Sequence, residues 1–157
     1  MSILVYIEQF EGKAAPVSWE VLGKARGLVD QMGGKLAAVV IGNGIEAVAK
    51  DALSYGADVV HLVEDPSLAA FRLDPYAAVV ENLVKTHSPK VLLFPATARG
   101  RDLSAVVACD LNAGLAADCS DLSLADGGLA AVRPVFSGNL LTTVRFNGPL
   151  AVASVRA

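Results

Sequence analysis

Four short runs in the first two thirds of the chain are apolar almost throughout: Ile3–Ile7, Leu36–Ile41, Asp58–Val63 and Val91–Phe94. Apolar runs of this length, without polar alternation, fit strands that are buried on both faces. Such strands need helices in front and behind, and the sequence between them supplies these. Val17, Val21, Leu22, Ala25, Leu28 and Val29 recur at helical spacing, and Gly33–Gly34 ends that helix. Asn43 followed by Glu46 reads as a capping-box start for a second helix, which ends at Tyr55–Gly56. Asp74–Pro75 opens a third, with Tyr76, Val79, Val80, Leu83 and Val84 as its apolar stripe and His87–Pro89 as its end. A fourth is expected over Asp102–Leu111. The rhythm predicts an α/β fold, a mostly parallel sheet with helices on both faces.

With 157 residues, 54 % of them hydrophobic and 18 % charged, the chain is read as one α/β domain over residues 1–157 and not as a disordered segment. A net charge of −3 argues against a general nucleic-acid binder. No apolar run reaches the ~18 residues of a membrane span. The start lacks the basic flank and cleavage site of a signal peptide, so a soluble, cytoplasmic protein is expected. Cys109 and Cys119 make no disulfide framework and read as inert thiols.

Charge is uneven along the chain. Through Asp126 there are 10 basic against 16 acidic residues, whereas Gly127–Ala157 holds Arg133, Arg145 and Arg156 and no acid. The pattern of elements changes there too. Asp118–Ala125, Leu129–Phe136, Leu140–Phe146 and Leu150–Arg156 read as four strands without helices, joined by hairpin turns at Asp126–Gly128 and Ser137–Asn139. A three-residue turn at Ser137–Asn139 sets Phe136 opposite Leu140 and Arg133 opposite Thr143. Val132, Phe136, Leu140, Val144 and Phe146 then face the core. Arg133, Thr143 and Arg145 share the other face. That face is either a pair of solvated arginines or a contact surface for an acidic partner.

Two segments have the form of ligand sites. Gly42, Gly44 and Ala47 match G-x-G-x-x-A after a strand and before a helix, with Glu64 twenty residues beyond Gly44. Against a dinucleotide there, Glu46 would put a negative charge where a pyrophosphate sits, and the segment follows the second strand rather than the first. The loop from Pro95 to Asp102 (PATARGRD) lies between a buried strand and a helix. Thr97, Arg99, Gly100 and Arg101 would offer an anion or a nucleotide a hydroxyl, two guanidiniums and free helix-terminal N–H groups. The other reading makes Asp102 pair with an arginine and the loop a plain connector. No catalytic constellation emerges: His61 and His87 read as structural, and no His, Cys and carboxylate cluster supports a metal.

Three segments together carry a resemblance: Ile3–Glu8 (ILVYIE), Pro95–Leu103 (PATARGRDL), and Arg133–Leu140 (RPVFSGNL) with Thr143–Arg145. In that order they resemble the N-terminal domain of the electron transfer flavoprotein alpha subunit, along the whole chain. The resemblance implies a nucleotide α-hydrolase-like fold and a heterodimer with a beta subunit. It implies electron transport from flavin dehydrogenases to an acceptor such as a quinone oxidoreductase. It further implies FAD bound mainly by a C-terminal domain expected beyond residue 157, so no FAD contact is assigned within this chain, and AMP as a ligand of the beta subunit. On this reading the domain is a scaffold and docking module without its own catalytic centre, with Arg133, Thr143 and Arg145 facing the partner. The alternatives are a small adenine-nucleotide-binding α/β domain using the Thr97–Arg101 loop, and a dinucleotide-binding domain using Gly42 and Gly44.

Overall fold

The computed structural model describes residues 2–157. In chain order, β1 (Ile3–Ile7) leads into a small hairpin of β2 (Gln9–Phe10) and β3 (Lys13–Ala14), followed by α1 (Pro16–Met32) and β4 (Leu36–Gly42). Next come α2 (Glu46–Ser54), β5 (Val59–Glu64), α3 (Leu73–His87), β6 (Val91–Pro95) and α4 (Ala98–Asp110). The last third holds β7 (Gly114–Cys119), β8 (Asp121–Ala125), β9 (Gly128–Val135), β10 (Leu140–Arg145) and β11 (Ala151–Val155).

The main sheet has six strands in the order β5-β4-β1-β6-β11-β7, and every pairing in it is parallel. Each residue of β1, β4, β6 and β11 is buried, which is why these segments are apolar without alternation. Successive β1 residues serve opposite layers. Ile3, Val5 and Ile7 pack with Val21 and Leu22 of α1, while Leu4 and Tyr6 pack with Tyr76 and Val80 of α3 and Leu103 of α4. The α/β, mostly parallel architecture with helices on both faces is therefore as expected from the sequence. Strand order reverses between β1 and β6, and the carboxyl ends of these two strands border the place where open α/β sheets bind ligands.

Four details differ from the sequence reading. The C-terminal strands do not form one antiparallel group. Asp118–Ala125 divides at Ser120 between β7, in the parallel sheet, and β8, in a separate antiparallel sheet of order β10-β9-β8. β11 returns to the parallel sheet and inserts between β6 and β7. A strand without a preceding helix signals no pairing direction in its own sequence, and all five residues of β11, Ser154 included, are buried as a central parallel strand requires.

The hairpin register is also shifted by one residue. Leu140 pairs with Val135 and Thr142 with Arg133, so the turn spans Phe136–Asn139. Phe136, Ser137 and Gly138 all take left-handed conformations, with φ of 50°, 55° and 88°, which removes Phe136 from the strand. Because side chains alternate, the slip sends Arg133 to the face opposite Thr143 and Arg145. Arg133 lies on the inward face with Leu129 and Ala131. Phe136 and Leu140, expected in the core, are 76 % and 56 % exposed.

Helix starts moved as well. α4 begins at Ala98, so Arg99, Gly100 and Arg101 belong to its first turn and not to a loop. α3 begins at Leu73, one residue before the expected cap. α2 has no side-chain cap from Asn43; Glu64 of the neighbouring strand accepts from the Ile45 N–H at 2.7 Å in its place.

Candidate functional site

The start of α4 is closed by the chain's own groups. Thr97 caps it, its Oγ1 accepting from the Gly100 N–H at 2.9 Å while its hydroxyl donates to the Glu8 carboxylate at the end of β1. A carboxylate thus already occupies the helix N-terminus where an external anion would be drawn. Gly100 is there for packing: a Cβ at this position would lie 2.0 Å from the carbonyl oxygen of Pro95. Arg99 turns sideways and sits between two phenyl rings, 5.4 Å from the Phe10 centroid and 5.5 Å from that of Phe71. Arg101 turns the other way, to Asp118, with Nη2 at 3.1 Å from Oδ1. Asp102 is exposed and makes no ion pair among the described residues, so the expected pairing of Asp102 with an arginine gives way to Asp118. Thr97, Arg99, Gly100 and Arg101 are neighbours in sequence, yet each serves a separate purpose in the fold.

The Gly42–Ala47 segment is similarly filled. Gln9 donates through Nε2 to the Ile41 carbonyl at 3.0 Å, and a Cβ on Gly42 would lie 2.6 Å from that nitrogen. Glu64, the carboxylate that would hold a ribose in a dinucleotide site, is spent on the Ile45 N–H. Glu46 is exposed, with Lys50 at 3.9 Å. At each strand-to-helix turn a protein group already takes one backbone donor, Glu64 that of Ile45 and Thr97 that of Gly100, and a carboxylate, Glu64 or Glu8, stands where the pyrophosphate of a dinucleotide such as FAD would bring its own negative charge.

A different constellation lies at the carboxyl ends of β7 and β11. Asp118 ends β7 in a left-handed conformation, φ 60°, and its N–H donates to Ser154 Oγ of β11 at 2.9 Å. Its carboxylate receives Arg101 from α4 and a bidentate guanidinium from Arg156, whose Nε lies 3.2 Å from Oδ1 and whose Nη2 bonds Oδ2. The Arg156 hydrogen bond, with further support from Arg101, holds the Asp118 carboxyl below the usual carboxylate range. Arg133 enters the same space from β9. Asp118, Arg133 and Arg156 border an open cavity of about 500 Å³ under the β9–β10 turn. The Arg133 Nε is buried and has no hydrogen-bond partner among the described residues.

Of the three expected partner-facing residues, only Arg133 reaches this cavity. Arg145 bonds Asp126 at the neighbouring turn, and Thr143 is exposed on the outer face. Sequence reasoning counted Arg156 in the acid-free stretch and held Asp118 open as a partner for the hairpin arginines, but did not bring Asp118 and Arg156 together, because they are far apart in the chain. It also missed Leu141, 68 % exposed; the adjacent pair Leu140–Leu141 breaks strand alternation and was the available signal.

Burial pushes the Cys119 thiol up to about 11, far from thiolate chemistry. His61 and His87 rings pack 4.7 Å apart, and burial, followed by the charge of His87, lowers the His61 pKa. Among the described residues no group of three or more His, Cys, Asp or Glu could hold a metal, and no helix is long and apolar enough to cross a membrane.

The sequence matches the electron transfer flavoprotein domain family over residues 3–157. It is 46 % identical over 146 residues to "Protein FixB" of Azorhizobium caulinodans, covering 90 % of this chain and 40 % of that protein. It is 41 % identical over 144 residues to "Electron transfer flavoprotein subunit alpha" of Thermoanaerobacterium thermosaccharolyticum, covering 91 % and 44 %. A third relative, "Lactate dehydrogenase (NAD(+),ferredoxin) subunit LctC" of Acetobacterium woodii, is 36 % identical over 143 residues, covering 90 % and 34 %. The chain spans less than half the length of these curated relatives. With a family match along almost its entire length, on a doubly covered parallel sheet, the chain belongs to the electron transfer flavoprotein family, among its alpha-subunit and FixB members.

Proposed function

We propose that this chain is the scaffold and docking part of an electron transfer flavoprotein alpha subunit, working as an electron-carrier component and not as a catalyst. The observation that carries the reading is the family match over residues 3–157. The closed state of both strand-to-helix turns supports it, since this chain then positions a flavin-bearing neighbour without gripping the flavin's phosphates itself.

In this reading FAD supplies the redox chemistry and is held mainly outside residues 1–157, by the rest of the alpha subunit and the beta subunit. The residues of this chain contribute rigidity and a surface. Electron transfer to a protein partner requires close, repeatable approach, and a fully buried parallel sheet fixes the docking face better than loops do. Flavin dehydrogenases deliver the electrons and an acceptor such as a quinone oxidoreductase removes them. The name of the Acetobacterium relative, a lactate dehydrogenase subunit, supports a dehydrogenase as the upstream partner.

The test is co-expression of the protein, as its gene encodes it, with a family beta subunit, followed by size-exclusion chromatography with detection of flavin absorbance. A co-eluting yellow heterodimer is expected. Two colourless, separately eluting proteins would overturn the reading. Adenine nucleotide binding at Thr97–Arg101 is not proposed, because Glu8 and the two phenyl rings already engage Thr97 and Arg99.

A further inference from the structure

The cavity at Asp118 has more positive charge than it can neutralise internally. Asp118 is its one carboxylate, and Arg156 and Arg101 both bond it. Arg133 adds a further guanidinium with a buried, unpartnered Nε. The cavity lining thus holds two guanidiniums, Arg133 and Arg156, against one carboxylate that Arg101 also engages from α4, and the sequence has no acid from Gly127 to Ala157. Arg145 does not share in this excess, since Asp126 neutralises it. A buried donor without an acceptor is unfavourable, so the free protein holds Arg133 in a state that an arriving oxyanion would improve. The bidentate grip of Arg156 on Asp118 shows which anion the local geometry suits, a planar carboxylate.

The rim of the cavity indicates what carries that carboxylate. Phe136, next to the opening, is 76 % exposed and held there by a backbone with positive φ, a costly conformation for a bulky residue. Leu140, 56 % exposed and on the Arg133 face of the hairpin, extends the apolar surface along β10, which is an edge of its sheet. An open cavity beside projecting aromatic and aliphatic side chains fits a protein surface, and Phe and Arg anchors side by side are the chemistry of an interface centre. An enclosed pocket for a free small anion would lack the apolar rim.

We infer that the β9–β10 turn and the Arg133 cavity form one docking surface, which receives an Asp or Glu side chain of the partner subunit while Phe136 and Leu140 pack on apolar residues beside it. This rests on the reading that the chain pairs with a beta subunit and specifies how. The incoming carboxylate supplies the acceptor that the Arg133 guanidinium lacks, and Arg156 and Arg101 keep Asp118 from repelling it.

The experiment measures heterodimer dissociation constants by surface plasmon resonance at low and moderate salt, using the full protein and the beta subunit. Arg133→Ala should weaken association by roughly tenfold to a hundredfold, mainly through faster dissociation. Arg133→Lys, which keeps the charge but not the fork, should recover part of the loss. Phe136→Ala should weaken association by about tenfold with little change in salt dependence. Neutralising acidic surface residues of the beta subunit one at a time should find one whose loss has no further effect in Arg133→Ala. Circular dichroism melts of each variant confirm folding.

If wild-type heterodimer forms but folded Arg133→Ala and Phe136→Ala bind as tightly as wild type, the docking surface is overturned and the family reading stands. If no heterodimer forms, both fall. If inorganic phosphate or a mononucleotide saturates the cavity in an Arg133-dependent manner without competing with the beta subunit, the site serves a small anion and the docking surface is likewise overturned.

Discussion

The parallel sheet and the small antiparallel sheet treat the same kinds of residue in opposite ways. In the central part of the parallel region potential liabilities are closed inside the chain, and the exceptions lie at its β5 edge, where Leu62 is partly exposed and the buried His61 Nε2 has no partner among the described residues. The helix starts of α2 and α4 receive Glu64 and Glu8, Arg99 is clasped by two rings, and the apolar strands carry helices on both faces. In the antiparallel region β10 is mostly exposed, Leu141 points outward, Phe136 is held in a disfavoured backbone state, and Arg133 keeps an unpartnered donor. Natural surfaces tend to blunt an apolar edge strand with charge or cover. Its retention here separates a part that specifies the fold from a part whose chemistry is completed by something else.

That contrast should appear first in truncations. Leu93 on β6 is completely buried between the two helical layers, and Leu93→Ala should destabilise the protein by about 2–5 kcal/mol through lost burial and a residual cavity. Leu141→Ala removes the same atoms from a side chain that is 68 % exposed, and should change stability by less than about 0.5 kcal/mol. Chemical denaturation of both variants checks this, and a comparable loss for Leu141→Ala would mean that β10 is part of the core after all.

Glycines sharpen the comparison at a smaller scale. Gly100→Ala places a methyl 2.0 Å from the Pro95 carbonyl oxygen, so α4 must move off β6, at a cost of roughly 1–3 kcal/mol. Gly138 has open space around a would-be Cβ and φ of 88°, so Gly138→Ala carries only backbone strain, about 1 kcal/mol. Thermal melts compare the two. An equal effect would show that the turn is as constrained as the helix start.

The two regions also differ in how far the sequence disclosed them. A strand buried on both faces advertises itself, as Ile3–Ile7 and Val91–Phe94 do, because helix cover demands apolar residues at every position. The parallel core and the order of its helices were therefore legible. Local signals misplaced helix starts by a few residues where a distant side chain did the capping: Glu64 for α2, which no pattern around Asn43 could reveal. The hairpin face was misread for a sharper reason. Period-two alternation converts a one-residue error in turn length into a complete exchange of faces, and the turn length depended on Phe136 adopting a conformation that its type disfavours. The Thr97–Arg101 cluster was correctly located at the sheet's carboxyl edge but not correctly paired, since Glu8 and Asp118 reach it from 89 and 17 residues away. Arg133 was singled out by charge asymmetry, while its companions Asp118 and Arg156 required the fold to bring β7 and β11 together.

The smallest expected effect concerns the acid that the exposed region borrows from the buried one. Asp118 belongs to the parallel sheet yet supplies the carboxylate at the edge of the Arg133 cavity. Its folded-state pKa is depressed, chiefly by the Arg156 hydrogen bond and then by Arg101, whereas the unfolded value is near the ordinary ~3.9. A depressed carboxyl contributes stability that is present above the unfolded pKa and is lost as pH falls through the folded one. Asp118→Asn tests this cleanly, because Asn tolerates the positive φ of this position and changes little but charge. The variant leaves two guanidiniums without their carboxylate, and should lose about 1 kcal/mol at neutral pH, kept small by the partial exposure of both arginines. Below the unfolded pKa the gap between wild type and Asp118→Asn should narrow and finally close. Urea titrations at a series of pH values would detect this. A gap that stays constant into acid would show that Asp118 acts through packing and not through charge, and that the cavity's positive excess is larger than the two arginines and one carboxylate of its lining imply.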